Sequence, residues 1–143
     1  MPKHQYSLVS QLVLNDSTTQ ANSYINVIEA IAVPVVGTPF PPLIVTTVMR
    51  TEDANDVFHL RLSIQAPSGT HVWSHEVGPQ AFGKFKTFRV SISIVNGPPI
   101  AEVGEYMIVI ESISGKTVEH FATIPIEVII QPSVLPQPSK PGT

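Results

Sequence analysis

A chain of 143 residues, 43% of them hydrophobic, has the length of one domain and enough apolar side chains for one core. Charged residues make up only 13%, against roughly 25% in an average soluble domain, which predicts that part of the surface is covered by a partner or by a second copy. The net charge of −3 and the scattering of basic residues singly from Lys3 to Lys140 exclude the electrostatic footprint of a nucleic-acid or membrane binder, and the absence of cysteine excludes disulfides and thiolate metal sites.

Met1-Pro2-Lys3-His4-Gln5 leads into no apolar stretch of signal-peptide kind, and the longest apolar runs, 30–36 and 124–130, are far too short to cross a bilayer. A soluble, cytoplasmic protein is the expectation. Along the chain, β-branched-rich runs at 6–14, 24–33 and 43–51 predict strands. In the next run Phe58, Leu60, Leu62 and Ile64 alternate with His59, Arg61, Ser63 and Gln65, the pattern of a strand with one face buried. Strands follow at 70–77, at 88–94, where Phe88, Val90, Ile92 and Ile94 alternate with polar residues, at 105–111, at 117–121 as a short extra, and at 124–130. Turn clusters punctuate them: Asn15-Asp16-Ser17, Phe40-Pro41-Pro42, Asp53-Ala54-Asn55-Asp56, Pro67-Ser68-Gly69, Asn96-Gly97-Pro98-Pro99 and Ser114-Gly115. No helical period is sustained. The expected architecture is all-β, a two-sheet antiparallel sandwich of about eight strands over residues 1–130. Residues 131–143, dense in proline and with little to bury, read as a disordered tail. Pro125 interrupts the last strand and cannot donate to a ladder, so that strand is expected at an edge or with its outer side unpaired there.

The order of Phe40-Pro41-Pro42, the alternating strand, Ala66-Pro67-Ser68-Gly69 and Val103-Gly104-Glu105-Tyr106 resembles a family of small bacterial immunoglobulin-like β-sandwich proteins of unknown function, over about residues 6–130. Val103 stands where such motifs often have proline. The resemblance implies the fold and brings no activity or site residues with it; Tyr106 takes the place of a structural corner tyrosine.

No catalytic residues are predicted: there is no Gly-x-Ser-x-Gly, and nothing links a serine to a histidine and a carboxylate. No metal or other cofactor is expected either. His71 and His75, four residues apart on a strand, are about 13 Å apart and cannot share an ion, while His4, His59 and His120 lie elsewhere in sequence. Glu52, Asp53 and Asp56 read as an acidic hairpin tip.

The informative segment is the hairpin around Pro67-Ser68-Gly69. A three-residue loop with Gly69 left-handed sets Ala66 opposite Thr70, Gln65 opposite His71, Ser63 opposite Trp73 and Arg61 opposite His75. This puts the only tryptophan on the outer face with His71, His75, Arg61 and His59, a candidate surface for a ligand or a partner. The alternative, a two-residue loop, shifts the register by one and sends Trp73 into the core beside Ile64. The functional expectation is a non-catalytic interaction or structural module that self-associates as a homo-oligomer, with runs 43–49 and 124–130 and the Trp73 face contributing to subunit contact. The alternative is a sandwich that binds a carbohydrate-like ligand on the Trp73 face.

Overall fold

The structure, a computed structural model, describes residues 2–19, 21–84 and 86–132. Nine strands follow one another among them: β1 (Lys3–Asn15), β2 (Asn22–Val27), β3 (Ala30–Val33), β4 (Leu43–Arg50), β5 (Val57–Gln65), β6 (His71–Ala81), β7 (Thr87–Ile94), β8 (Gly104–Ser114) and β9 (Thr117–Ile130). They form a four-stranded sheet, β2-β1-β4-β7, and a five-stranded sheet, β3-β9-β8-β5-β6. Alternation decides what faces inward. Leu43, Val45 and Met49 of β4 are buried, as are Phe58, Leu60, Leu62 and Ile64 of β5, Tyr106, Ile108 and Ile110 of β8, and Ile126 and Val128 of β9. Each such side chain contributes roughly 1.5–3 kcal/mol on burial.

The end of the sandwich is closed by loops. Phe40 donates its N–H to Pro98 O at 3.0 Å, and its ring meets Tyr106 edge-on at 5.2 Å. The Tyr106 hydroxyl donates to Glu102 O at 2.8 Å, the corner role expected of it.

The strand count differs from expectation in two places. Run 24–33 divides, because a strand that bends cannot stay in one ladder. Asn26 adopts φ 55°, Ile28 N–H still donates to Val9 O of β1 at 2.7 Å, and the very next residue, Glu29, accepts from Glu127 N–H of β9 at 3.1 Å. The chain thus changes sheets between adjacent residues, and β3 runs parallel to β9, Ala30 beside Glu127 through Val33 beside Ile130, where only antiparallel pairing was expected. Conversely, 117–121 and 124–130 are one strand, β9, interrupted by a bulge next to Phe121.

Strand β9 is not the last in its sheet, since β3 lies beyond it; but β3 covers only Glu127–Ile130, so at Pro125 the outer side carries no strand. Strand β4 lies between β1 and β7 and sends Leu43, Val45 and Met49 into the core, so of run 43–49 only the alternate residues face outward. Strand β9 ends at Ile130; the tail reading of 131–143 falls, beyond Pro132, outside the described residues.

Candidate functional site

The β5–β6 hairpin forms as its turn residues dictate. Gly69 takes φ 91°, which a Cβ would disfavour. Gly69 N–H donates to Ala66 O and Ala66 N–H to Thr70 O, both at 2.8 Å. Gln65 then pairs with His71, and Gln65 Nε2 lies 3.1 Å from His71 Nε2.

Beyond that pair the register departs from the one counted outward from the turn. A bulge between Ile64 and Gln65 leaves Val72 as an extra residue, so Ile64 faces Trp73, Ser63 faces Ser74, Leu62 faces His75 and Arg61 faces Glu76. The expected pairs Ser63–Trp73 and Arg61–His75 are therefore corrected. The turn is the three-residue one, yet Trp73 stands beside Ile64. The physical reason is burial: with the bulge, both Val72 and Trp73 pack against the core, whereas the uninterrupted ladder would turn the tryptophan out to water. Trp73 stays half-buried because β6 is the last strand of its sheet, and its ring stacks on His75 at 6.0 Å and 30°. The five candidate residues thus separate. Arg61, His59 and His71 lie on the outer face, while Trp73 and His75 share the inward register at the sheet's margin.

On the outer face, β5 is flanked by β6 and β8, giving the rows Glu76–Arg61–Glu111, Ser74–Ser63–Val109 and His71–Gln65–Met107. Arg61 grips Glu111 Oε1 through both Nε and Nη2 at 3.1 Å, and His59 Nε2 meets Glu76 Oε2 at 3.0 Å. Between these groups is an open hollow of about 370 Å³ lined by Arg61, Ser63, His71, Ser74 and Glu111. Ser63 is 2% exposed, and its Oγ is, among the described residues, the buried side-chain polar atom without a hydrogen-bond partner. Such an orphan costs about 1–3 kcal/mol. Sequence reasoning placed Ser63 on the polar face but missed Ser74, Glu76 and Glu111. The first two depend on the bulge, and Glu111 on the pairing of β5 with β8, to which nothing local points.

Two other groups stand out. Over the four-stranded sheet, Arg89 Nε donates to Tyr24 Oη at 2.9 Å and Arg89 Nη2 to Tyr6 Oη at 3.3 Å; hydrogen bonds from Tyr24 and Arg89 hold the Tyr6 pKa below its ordinary value. At the acidic tip, Asp53 Oδ1 accepts from Asn55 N–H at 2.9 Å, and Thr51 Oγ1 donates to an Asp56 carboxylate oxygen, which lowers the Asp56 pKa. These carboxylates hold their own turn together.

No family model and no curated protein matches the sequence. Among solved structures, the chain is similar to the C-terminal domain of Wzt, with a TM-score of 0.52 at 10% identity, over 90% of this chain and 73% of that one. An immunoglobulin-like protein from Pseudomonas aeruginosa aligns with a TM-score of 0.47 at 13% identity, over 90% of this chain and 97% of that one. At such identities the likeness is one of fold alone. The chain itself is an all-β, two-sheet sandwich of immunoglobulin-like build, with Tyr106 at the corner.

Proposed function

We propose that the chain is a non-catalytic β-sandwich interaction module that associates with a second copy of itself. The observation that carries this reading is the apolar face of the β1–β2 hairpin. Leu12 and Ile25 stand opposite each other, Leu14 and Val27 extend the row, and the four are 44%, 37%, 48% and 55% exposed. Strand β2 is the last of its sheet, and the outer side of such an edge is where another strand can add. A contiguous aliphatic patch on an edge hairpin is the kind of surface that marks an interface, and 13% charged residues leave little with which to guard it. A second copy supplies the matching surface, because a two-fold axis sets the same apolar row against itself. On the other sheet, Arg61 is held by Glu111 and His59 by Glu76.

Sedimentation equilibrium at micromolar concentration tests the reading. The expected mass is twice 15.5 kDa, returning to the single mass in the Leu12→Lys/Ile25→Lys variant with an unchanged far-UV spectrum. A parent chain of 15.5 kDa at every concentration overturns it.

A further inference from the structure

Independently of self-association, we propose that the hollow on the outer face of the five-stranded sheet binds a neutral polyhydroxylated compound, a sugar or a polyol. Its volume of about 370 Å³ is that of a small-molecule site. Its chemistry selects against ions: the one cation lining it, Arg61, and the one anion, Glu111, neutralise each other at 3.1 Å, so an anionic ligand meets the carboxylate and a cationic one the guanidinium.

The remaining lining groups are the Ser63 and Ser74 hydroxyls and the His71 imidazole. Each can donate and accept, the pattern a sugar hydroxyl mirrors and a simple ion or an apolar molecule does not.

The Ser63 hydroxyl supplies the second, independent observation. It is buried, it has no partner, and alanine would fit the same space, so the fold by itself gains nothing from it. The residue lines the hollow, where a ligand oxygen satisfies the hydroxyl. This residue therefore sacrifices stability in the empty protein and recovers it in the complex.

The experiment titrates the full chain with glucose, galactose, mannose, rhamnose and inositol, each to about 100 mM, well above a millimolar dissociation constant, and follows the backbone amide resonances of Ser63, His71 and Ser74. Saturable shifts with at least one of these compounds are expected. In Ser63→Ala, binding weakens about tenfold or more, the loss of one buried hydrogen bond, while Tm stays level or rises; in His75→Ala, on the opposite face of β6, binding is unchanged. The proposal is overturned if no compound in the panel gives saturable shifts, if Ser63→Ala binds like the parent, if inorganic phosphate competes, or if Ser63→Ala lowers Tm, which would reveal a structural partner for the hydroxyl.

Discussion

His4 occupies the seam between the two sheets. Its Nε2 lies 2.7 Å from Ser7 Oγ on its own strand, and its ring sits 5.4 Å from that of Phe121 on β9. Burial, and after it the neighbouring His120, hold its pKa below the ordinary 6.5. The unfolded chain therefore takes up a proton that the folded chain resists, and stability rises with pH across that interval. The contribution is complete above about pH 6.5 and is lost as pH falls from there toward the lowered folded value. Thermal melts between about pH 7.5 and pH 5 are expected to show a falling Tm, with a shallower fall in His4→Gln. None of this was legible in the sequence, where His4 is one of five histidines; its environment is created by a contact between the first strand and the last. Ser63 was legible as a polar-face residue through alternation alone, but its lack of a partner depends on which side chains surround it, and that is settled only by packing.

At the scale of elements, local chemistry proved readable wherever it acts within a few residues. The Gly69 turn and the inward row of β5 follow from spacing, and the corner position of Tyr106 from the family resemblance. The Tyr106 hydroxyl, in a buried residue, donates to Glu102 O. Tyr106→Phe is accordingly expected to cost about 1 kcal/mol by leaving that carbonyl short of a donor, measured as a reduced urea midpoint with an unchanged slope. The division of run 24–33 was not readable, because the signals for a strand are the same whichever sheet receives it; only the competing pull of β1 on Ile28 and of β9 on Glu29 decides it. The fused β9 escaped for the converse reason, a bulge near Phe121 looking in sequence like a break between two strands.

For the whole molecule, the division of labour is between two edges. The four-stranded sheet ends in an aliphatic hairpin, and the five-stranded sheet carries its polar groups on an outer face where they are mostly paired with one another. If the hairpin joins two copies, folding and association are linked, and Tm rises with protein concentration; differential scanning calorimetry at two concentrations differing tenfold is expected to show the higher Tm in the more concentrated sample. The low charge content predicts a covered surface but not its place. Run 43–49 is the more apolar stretch and sends Leu43, Val45 and Met49 into the core, while the exposed row of Leu12, Leu14, Ile25 and Val27 comes from a strand pair whose register no composition reveals.

The bulge at Val72 also has a consequence for chain length. Gln65 pairs with His71 before it and Ile64 with Trp73 after it, so Val72 is a supernumerary residue, an insertion the strand has already absorbed. Deleting it removes one side chain packed against the core but moves no downstream partner, and the emission maximum of the sole tryptophan is expected to stay where it was. Deleting Ser74 instead forces His75, Glu76 and Val77 onto the opposite face, as far as the second irregularity between Phe58 and Leu60, or opens a new bulge, and the chain is expected to lose its cooperative melt. A strand that tolerates losing one particular residue but not its near neighbour marks where length variation in this hairpin is cheapest.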